Sequence, residues 1–436
     1  MLQRLLYEDL VTWKQQATRK PILLDGARQV GKSWLVDQLF GPGEFRKVHK
    51  LDFRSDPGLA SLFADSLEPS RVLSNIELRF NQKIEIKHDL IFLDEVGECQ
   101  PAVDSLKYFA EQLPEAFVCA SGSNIGLIDS FPVGKVQLME LYPLCFEEFL
   151  MASAQSRLLQ AFREQQETQT VHRLLWSQLL DFYFVGGMPE AVASWFQDEG
   201  SVHERGRKVS RIHQDLVSGF HRDFGKYAGK YHAQHIEAVF QNVPRQLASS
   251  QDGSVQRYKF KDVIAKKQRY RELQGPIDWL EKARLVWKCY PVTGKPEVPL
   301  LTRARANIFK LYLFDVGLLG HMLGMTYTDQ MAQSTSYKGY IAENFVLTEL
   351  RTHAVYPLYS WEEARAEVEF LHRCADGEVI PVEVKSGKRT KARSLRSYID
   401  RYEPSRAIKL IGGLGGKTAG ALEVWPLYYA QYLCDL

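Results

Sequence analysis

The sequence predicts an α/β protein: a parallel sheet sandwich with a phosphate-binding loop first, then a helical stretch, then a second α/β region. Three observations carry this. The apolar run Ile22-Leu23-Leu24 leads through Asp25 into Gly26-Ala27-Arg28-Gln29-Val30-Gly31-Lys32-Ser33, and a helical pattern of Trp34, Leu35, Val36 and Leu39 follows. A second apolar run, Asp89-Leu90-Ile91-Phe92-Leu93, ends in the adjacent carboxylates Asp94 and Glu95. Strand-like and helix-like segments alternate as far as Leu141, the pattern of a parallel sheet with helical crossovers.

The Gly-x4-Gly-Lys-Ser spacing between a strand and a helix defines a P-loop. Glycines let the backbone curl so that successive N–H groups face phosphate oxygens. The following helix adds the positive end of its dipole. Gly26 to Trp34 are therefore the expected nucleotide-binding residues. Lys32 is placed for the β/γ-phosphates and the Ser33 hydroxyl for Mg²⁺. Asp94 is the second expected Mg²⁺ ligand, and Glu95 is placed to orient and deprotonate water. A third strand, Ala116 to Ser121, leads into Gly122-Ser123-Asn124. Ser123 and Asn124 either sense the γ-phosphate there or form an Asn-containing turn. Arg46 to Phe53 and Val136 to Leu141 supply further strands.

Composition is ordinary for a globular chain of 436 residues: 45% hydrophobic, 25% charged, formal net charge +2. No global polyelectrolyte signal exists, so any nucleic-acid contact rests on local patches. The six cysteines form no CxxC pair and read as reduced thiols. No apolar run is long enough to span a bilayer, and the first twenty or so residues lack the apolar core of a signal peptide. A cytoplasmic protein with no membrane association is expected.

After Tyr142-Pro143-Leu144 the pattern turns helical, and residues 146–233 read as a lid on the 1–145 core. Residues 234–300 carry three short helical segments and the strand Leu285 to Tyr290, the order of a winged helix. Its Lys259, Lys261, Lys266, Lys267, Arg269 and Arg271 either grip DNA phosphates or form a plain solvent face. In residues 301–436, Glu383 and Lys385 share one strand face by parity, Glu369 lies on the preceding hairpin strand, and Glu343 lies on a helix. Together they suit a Mg²⁺ site for phosphodiester hydrolysis, or else the charged outer face of a hairpin.

With these segments assembled, the chain resembles a bacterial and archaeal family of AAA-like P-loop ATPases with a C-terminal domain of uncharacterised role. The resemblance rests on Leu24 to Ser33, Leu93-Asp94-Glu95, Gly122-Ser123-Asn124, Leu141 to Phe149, Gly186-Gly187-Met188-Pro189-Glu190-Ala191, Trp279 to Leu285, and Pro381 to Gly387. It implies ATP and Mg²⁺ as cofactors, ATP hydrolysis with Lys32, Glu95 and Asn124 in catalytic roles, and a C-terminal fold similar to PD-(D/E)XK nucleases. Carried over by position, Glu343, Glu369, Glu383 and Lys385 match that nuclease-like site. Two functions follow: an ATPase that drives or switches a module acting on DNA, or an ATP-regulated switch that binds a partner protein through an inactive nuclease-like domain. A homo-oligomer is one implied arrangement, with monomer and dimer open. The chain departs from the family in three places. Glu369 stands where Asp is usual, Gly97 where Gln is common, and Lys135 where Arg is frequent.

Overall fold

The computed structural model describes residues 2–123, 125–127, 130–249, 257–332, 339–353, 357–364, 366–387, 392–417 and 420–436, without the side chains of 127, 226–231 and 417. It divides into two compact units, Gln3–Tyr142 with Lys282–Arg284, and Pro143–Glu281 with Leu285–Leu436.

The N-terminal unit is built on a five-stranded sheet of β1 (Ile22–Asp25), β2 (Lys47–Asp52), β3 (Asp89–Asp94), β4 (Phe117–Ser121) and β5 (Gln137–Glu140), ordered β2-β3-β4-β1-β5. Every pairing is parallel. The three inner strands β1, β3 and β4 are buried at every position, which is why they read as unbroken apolar runs. The edge strands β2 and β5 alternate between buried and wetter positions. Leu23, Ile91, Leu93 and Val118 meet Val103, Leu106 and Phe109 of the helix Gln100–Gln112. Trp13 of the first helix packs edge-on to Phe117. The two sequence motifs fall on β1 and β3, which β4 separates. All three motif strands end at the same rim, where ligands bind parallel sheets.

The C-terminal unit holds an eight-stranded mixed sheet, ordered β12-β13-β11-β10-β9-β8-β6-β7. Its strands are β6 (Val286–Val292), β7 (Lys310–Leu313), β8 (Leu358–Glu363), β9 (Ala366–Arg373), β10 (Val379–Lys385), β11 (Ala407–Ile411), β12 (Gly416–Lys417) and β13 (Leu422–Pro426). The helices expected as a lid belong to this unit's own core. Phe146 and Phe182 pack against Phe345 at 6.2 and 5.9 Å between centroids, and Phe162 against Tyr429 at 5.6 Å.

Residues 234–300 differ from the winged-helix order. Val202–Ala248 is one helix of 47 residues, because buried Val209, Leu216, Phe220, Phe224, Ile236, Val239, Val243 and Leu247 keep a single helical register across the expected boundary. The next helix is Tyr270–Lys282, and β6 is an inner strand of the large sheet, paired with β7 and β8. A strand held on both sides is no free wing. Of the six basic residues, all but Lys267 are exposed, and Lys267 Nζ lies 3.2 Å from His235 Nδ1.

The Gly186-Gly187 pair has a packing explanation. A Cβ on Gly187 meets the Leu144 carbonyl oxygen at 2.1 Å, and one on Gly186 meets the Asp315 carboxylate at 2.4 Å. Buried Asp315 accepts from the N–H of Gly187 at 2.7 Å and of Leu318 at 2.8 Å, capping the helix Val316–Met322. The Leu144 N–H also donates to Gly187 O at 2.7 Å, which ties the two backbones together. Gly187→Ala is expected to destabilise the C-terminal unit by about 3 kcal/mol, while Gly219→Ala, in open space, is neutral or better. Urea unfolding midpoints of the two variants check this.

Candidate functional site

At the rim of the N-terminal sheet the loop after β1 curls as its glycines dictate. Gly31 has φ 95° and Gln29 φ 65°, both left-handed. Gly26 lies so close to Leu141 that a Cβ would sit 2.2 Å from its carbonyl oxygen. The helical run opening at Lys32 has no side-chain cap, which leaves its first N–H groups for an anion. Arg4 braces the loop from behind: Nη1 donates to Val30 O at 2.7 Å and Nη2 to Tyr142 O at 2.6 Å.

The Lys32 ammonium is buried and donates to Gly26 O at 2.9 Å, Ala27 O at 2.8 Å and Ser123 Oγ at 3.0 Å. Burial lowers its pKa to about 8, against the opposing pull of Glu95, Asp25 and Asp94. Ser123 is thus brought to the lysine. Asn124 lies outside the described residues. Arg28 and Trp34 are half-buried beside the loop.

Ser33 Oγ donates to Asp94 Oδ1 at 2.7 Å, and Ser121 Oγ donates to the same oxygen at 2.5 Å. Lys50 Nζ lies 3.2 Å from Asp94 Oδ2. Adjacent hydroxyl and carboxylate oxygens are the hard donor set that Mg²⁺ takes, so Ser33 and Asp94 fit that ion. Glu95 has φ 52° and ψ 44°. A left-handed residue with a side chain costs on the order of 1 kcal/mol and is kept where the site demands it. Its carboxylate accepts no hydrogen bond among the described residues, which leaves it available to water.

Sequence reasoning missed a second ring of residues. Arg284 donates from Nε and Nη2 to Asp25 Oδ2 at 3.2 and 3.1 Å, and also pairs with Glu140. Asp25 in turn accepts from Gly26 N at 2.8 Å. The guanidinium is thereby tied to the first residue of the loop. Arg284 stands inside the Trp279 to Leu285 segment, a signal that was present without a role attached to it. Lys135, which replaces a frequent Arg, pairs with Glu111 at 2.8 Å on the surface.

The second set of expected residues also converges. Lys385 Nζ lies 2.7 Å from Glu369 Oε1 and 3.0 Å from Glu383 Oε1. The N–H of Val384 donates to Glu369 Oε2 at 3.1 Å. Glu343 pairs with Lys310 Nζ at 2.5 Å and accepts from Tyr312 OH at 3.3 Å. Lys310 and Tyr312 of β7 had no sequence signal, because β7 is an edge strand apart from β9 and β10 and meets the cluster through Glu343 of the helix Gly339–His353. Burial pushes the Glu369 carboxyl up to about 7, Lys385 opposing and Glu343 and Glu383 reinforcing the shift. Among the described residues buried Glu383 Oε2 has no hydrogen-bond partner.

Comparisons with known proteins bear on these sites. Residues 18–150 match the family described as an AAA domain, residues 177–329 a domain of unknown function (DUF8612), and residues 338–428 another (DUF4143). The N-terminal unit is thus similar to AAA domains over these residues, in keeping with its P-loop and parallel sheet. The DUF8612 segment runs across the boundaries expected at 233 and 300, in keeping with the single C-terminal unit. No curated protein matches the chain. Among solved structures it is similar to AMPPCP-bound DnaA from Aquifex aeolicus, at 14% identity over 64% of this chain and 88% of that one. The TM-score of 0.28 is too low to bear on fold or function. Among the described residues no helix is long and apolar enough to cross a membrane.

The lowered Lys32 pKa has a measurable consequence. At pH 8 about half of this lysine is neutral in the free protein, and a bound polyphosphate draws it back to the ammonium. Nucleotide binding at pH 8 is therefore expected to take up about half a proton more in the parent than in Lys32→Ala. Titration calorimetry in buffers of different ionisation enthalpy reads this uptake.

Proposed function

We propose that this protein binds ATP with Mg²⁺ at the P-loop and hydrolyses it, and that the cycle drives or switches the C-terminal unit. The observation that carries the reading is the convergence of Lys32, Ser33, Asp94 and a left-handed Glu95, whose carboxylate accepts no hydrogen bond among the described residues, at one rim of the sheet. The loop N–H groups and Lys32 bind the phosphates. Ser33 and Asp94 hold Mg²⁺, which neutralises phosphate charge when bound. Glu95 orients water and takes its proton. Ser123, with Asn124 beside it in sequence, reads the terminal phosphate. Cytoplasmic location follows from the same reading.

Removing the base without removing the binding groups separates the steps. Glu95→Gln is expected to retain ATP affinity within a few-fold and to lose about 10²–10⁴ in turnover. Lys32→Ala is expected to weaken ATP binding about tenfold or more. Phosphate release and calorimetry measure the two effects, and unchanged affinity in Lys32→Ala rejects the site.

For the C-terminal unit the orphaned Glu383 oxygen favours a cation-dependent, nuclease-like role on DNA. A buried acceptor without a donor is costly, and a hard cation relieves it. Against this, Lys310 and Lys385 already neutralise much of the cluster, the arrangement expected of a partner-binding module that has lost cleavage. Plasmid incubated with Mg²⁺ or Mn²⁺ decides between them. The nuclease reading expects nicking that Lys385→Ala abolishes; the switch reading expects none, with slow ATP turnover unaffected by DNA.

A further inference from the structure

A separate constellation lies in the C-terminal unit, away from the Glu369–Lys385 cluster. Cys145 precedes the helix Phe146–Ala152 and caps it: its sulfur accepts from the N–H of Glu148, and Glu148 Oε2 accepts from Cys145 N at 3.1 Å. The next N–H, of Phe146, donates to Glu349 Oε1 at 3.0 Å. That bond brings the Glu349 carboxylate alongside the Cys145 thiol. His353 stands four residues after Glu349 on the helix Gly339–His353, one turn along the same face. One ligand atom from each of Cys145, Glu349 and His353 lies within 4.8 Å of the other two.

We propose that Cys145, Glu349 and His353 form a zinc site. Donor atoms on a tetrahedral zinc ion sit about 3.4–3.6 Å apart, given bonds of about 2.0–2.3 Å. With the donor atoms already within 4.8 Å of one another, closing onto an ion takes movement on the order of 1 Å. A thiol, an imidazole and a carboxylate together select zinc over Mg²⁺ or Ca²⁺, which take oxygen alone. The i, i+4 pair on a helix with a third donor from elsewhere in the chain is a spacing that zinc accepts.

The charge balance points the same way. Cys145, Glu349, Glu147 and Glu148 are all buried. Arg163 pairs with Glu147 at 2.7 Å. Among the described residues no Lys, Arg or His nitrogen lies within ion-pair distance of Glu349, and the Phe146 N–H is its one hydrogen-bond donor. A buried carboxylate needs a positive partner to ionise, and a dication would be one here.

Access is also provided. His353 lines a cavity of about 430 Å³ whose wall includes Cys434, His372, Cys374 and Leu358. Of the three donors His353 is the one that lines this cavity, which gives an ion its route in, and three protein donors leave a fourth position for water.

The test uses the full chain, stripped with a chelator and titrated with Zn²⁺ against a chromophoric competitor. One zinc per chain is expected. Cys145→Ser, which keeps a capping oxygen, and His353→Ala are each expected to weaken binding by at least about hundredfold, with unchanged far-UV dichroism. Co²⁺ in the parent protein is expected to show thiolate-to-cobalt charge-transfer absorption, absent in Cys145→Ser. The P-loop site holds no thiol and cannot produce that band. A parent protein without the band, or zinc affinity equal in parent and both variants, overturns the site.

Discussion

One buried ammonium sets the terms of the N-terminal unit. Lys32 is held by two carbonyls of its own loop and one hydroxyl, with no carboxylate in direct contact among the described residues. Carbonyl acceptors solvate a cation without cancelling it, so its charge stays available to an incoming phosphate. The same turn that aims Gly26 O and Ala27 O at the lysine requires left-handed backbone at Gln29 and Gly31. The cradle, the lysine and the uncapped helix are one geometric solution. Asp25 is kept out of that solution by Arg284, which occupies its outer oxygen.

The C-terminal unit solves a different problem. Its helices span 146–248 in sequence, yet their apolar faces are completed by residues some two hundred positions later, such as Phe345 and Tyr429. Gly186 and Gly187 allow two backbones to meet at Asp315 with no side chain between them. The motif is read as conformational punctuation, but its content is proximity. Both glycines sit where an added methyl would strike backbone or a buried carboxylate.

What was legible follows from distance along the chain. The P-loop was legible because its chemistry is contiguous from Gly26 to Ser33 and its strand is buried on both faces. Asp94 and Glu95 were legible for the same reason. Glu369, Glu383 and Lys385 were legible because strand parity fixes which side chains share a face. Lys310 was not, since β7 lies apart from β9 and β10 and meets the cluster through Glu343. The winged-helix order failed where a single helix runs from Val202 to Ala248. A run of short amphipathic segments and one long helix look alike when polar residues interrupt the stripe. Cys145, Glu349 and His353 carried no spacing signal, because one of the three donors stands about two hundred residues from the others.

The placement of β4 between β1 and β3 has a mechanical corollary. Ser121 and Ser123 are two residues apart at the end of this single strand, the first bonded to Asp94 and the second to Lys32. The Asp94 side and the Lys32 side of the rim are therefore joined through one short length of backbone, so the bonds that steady the aspartate and the lysine share a single peptide segment.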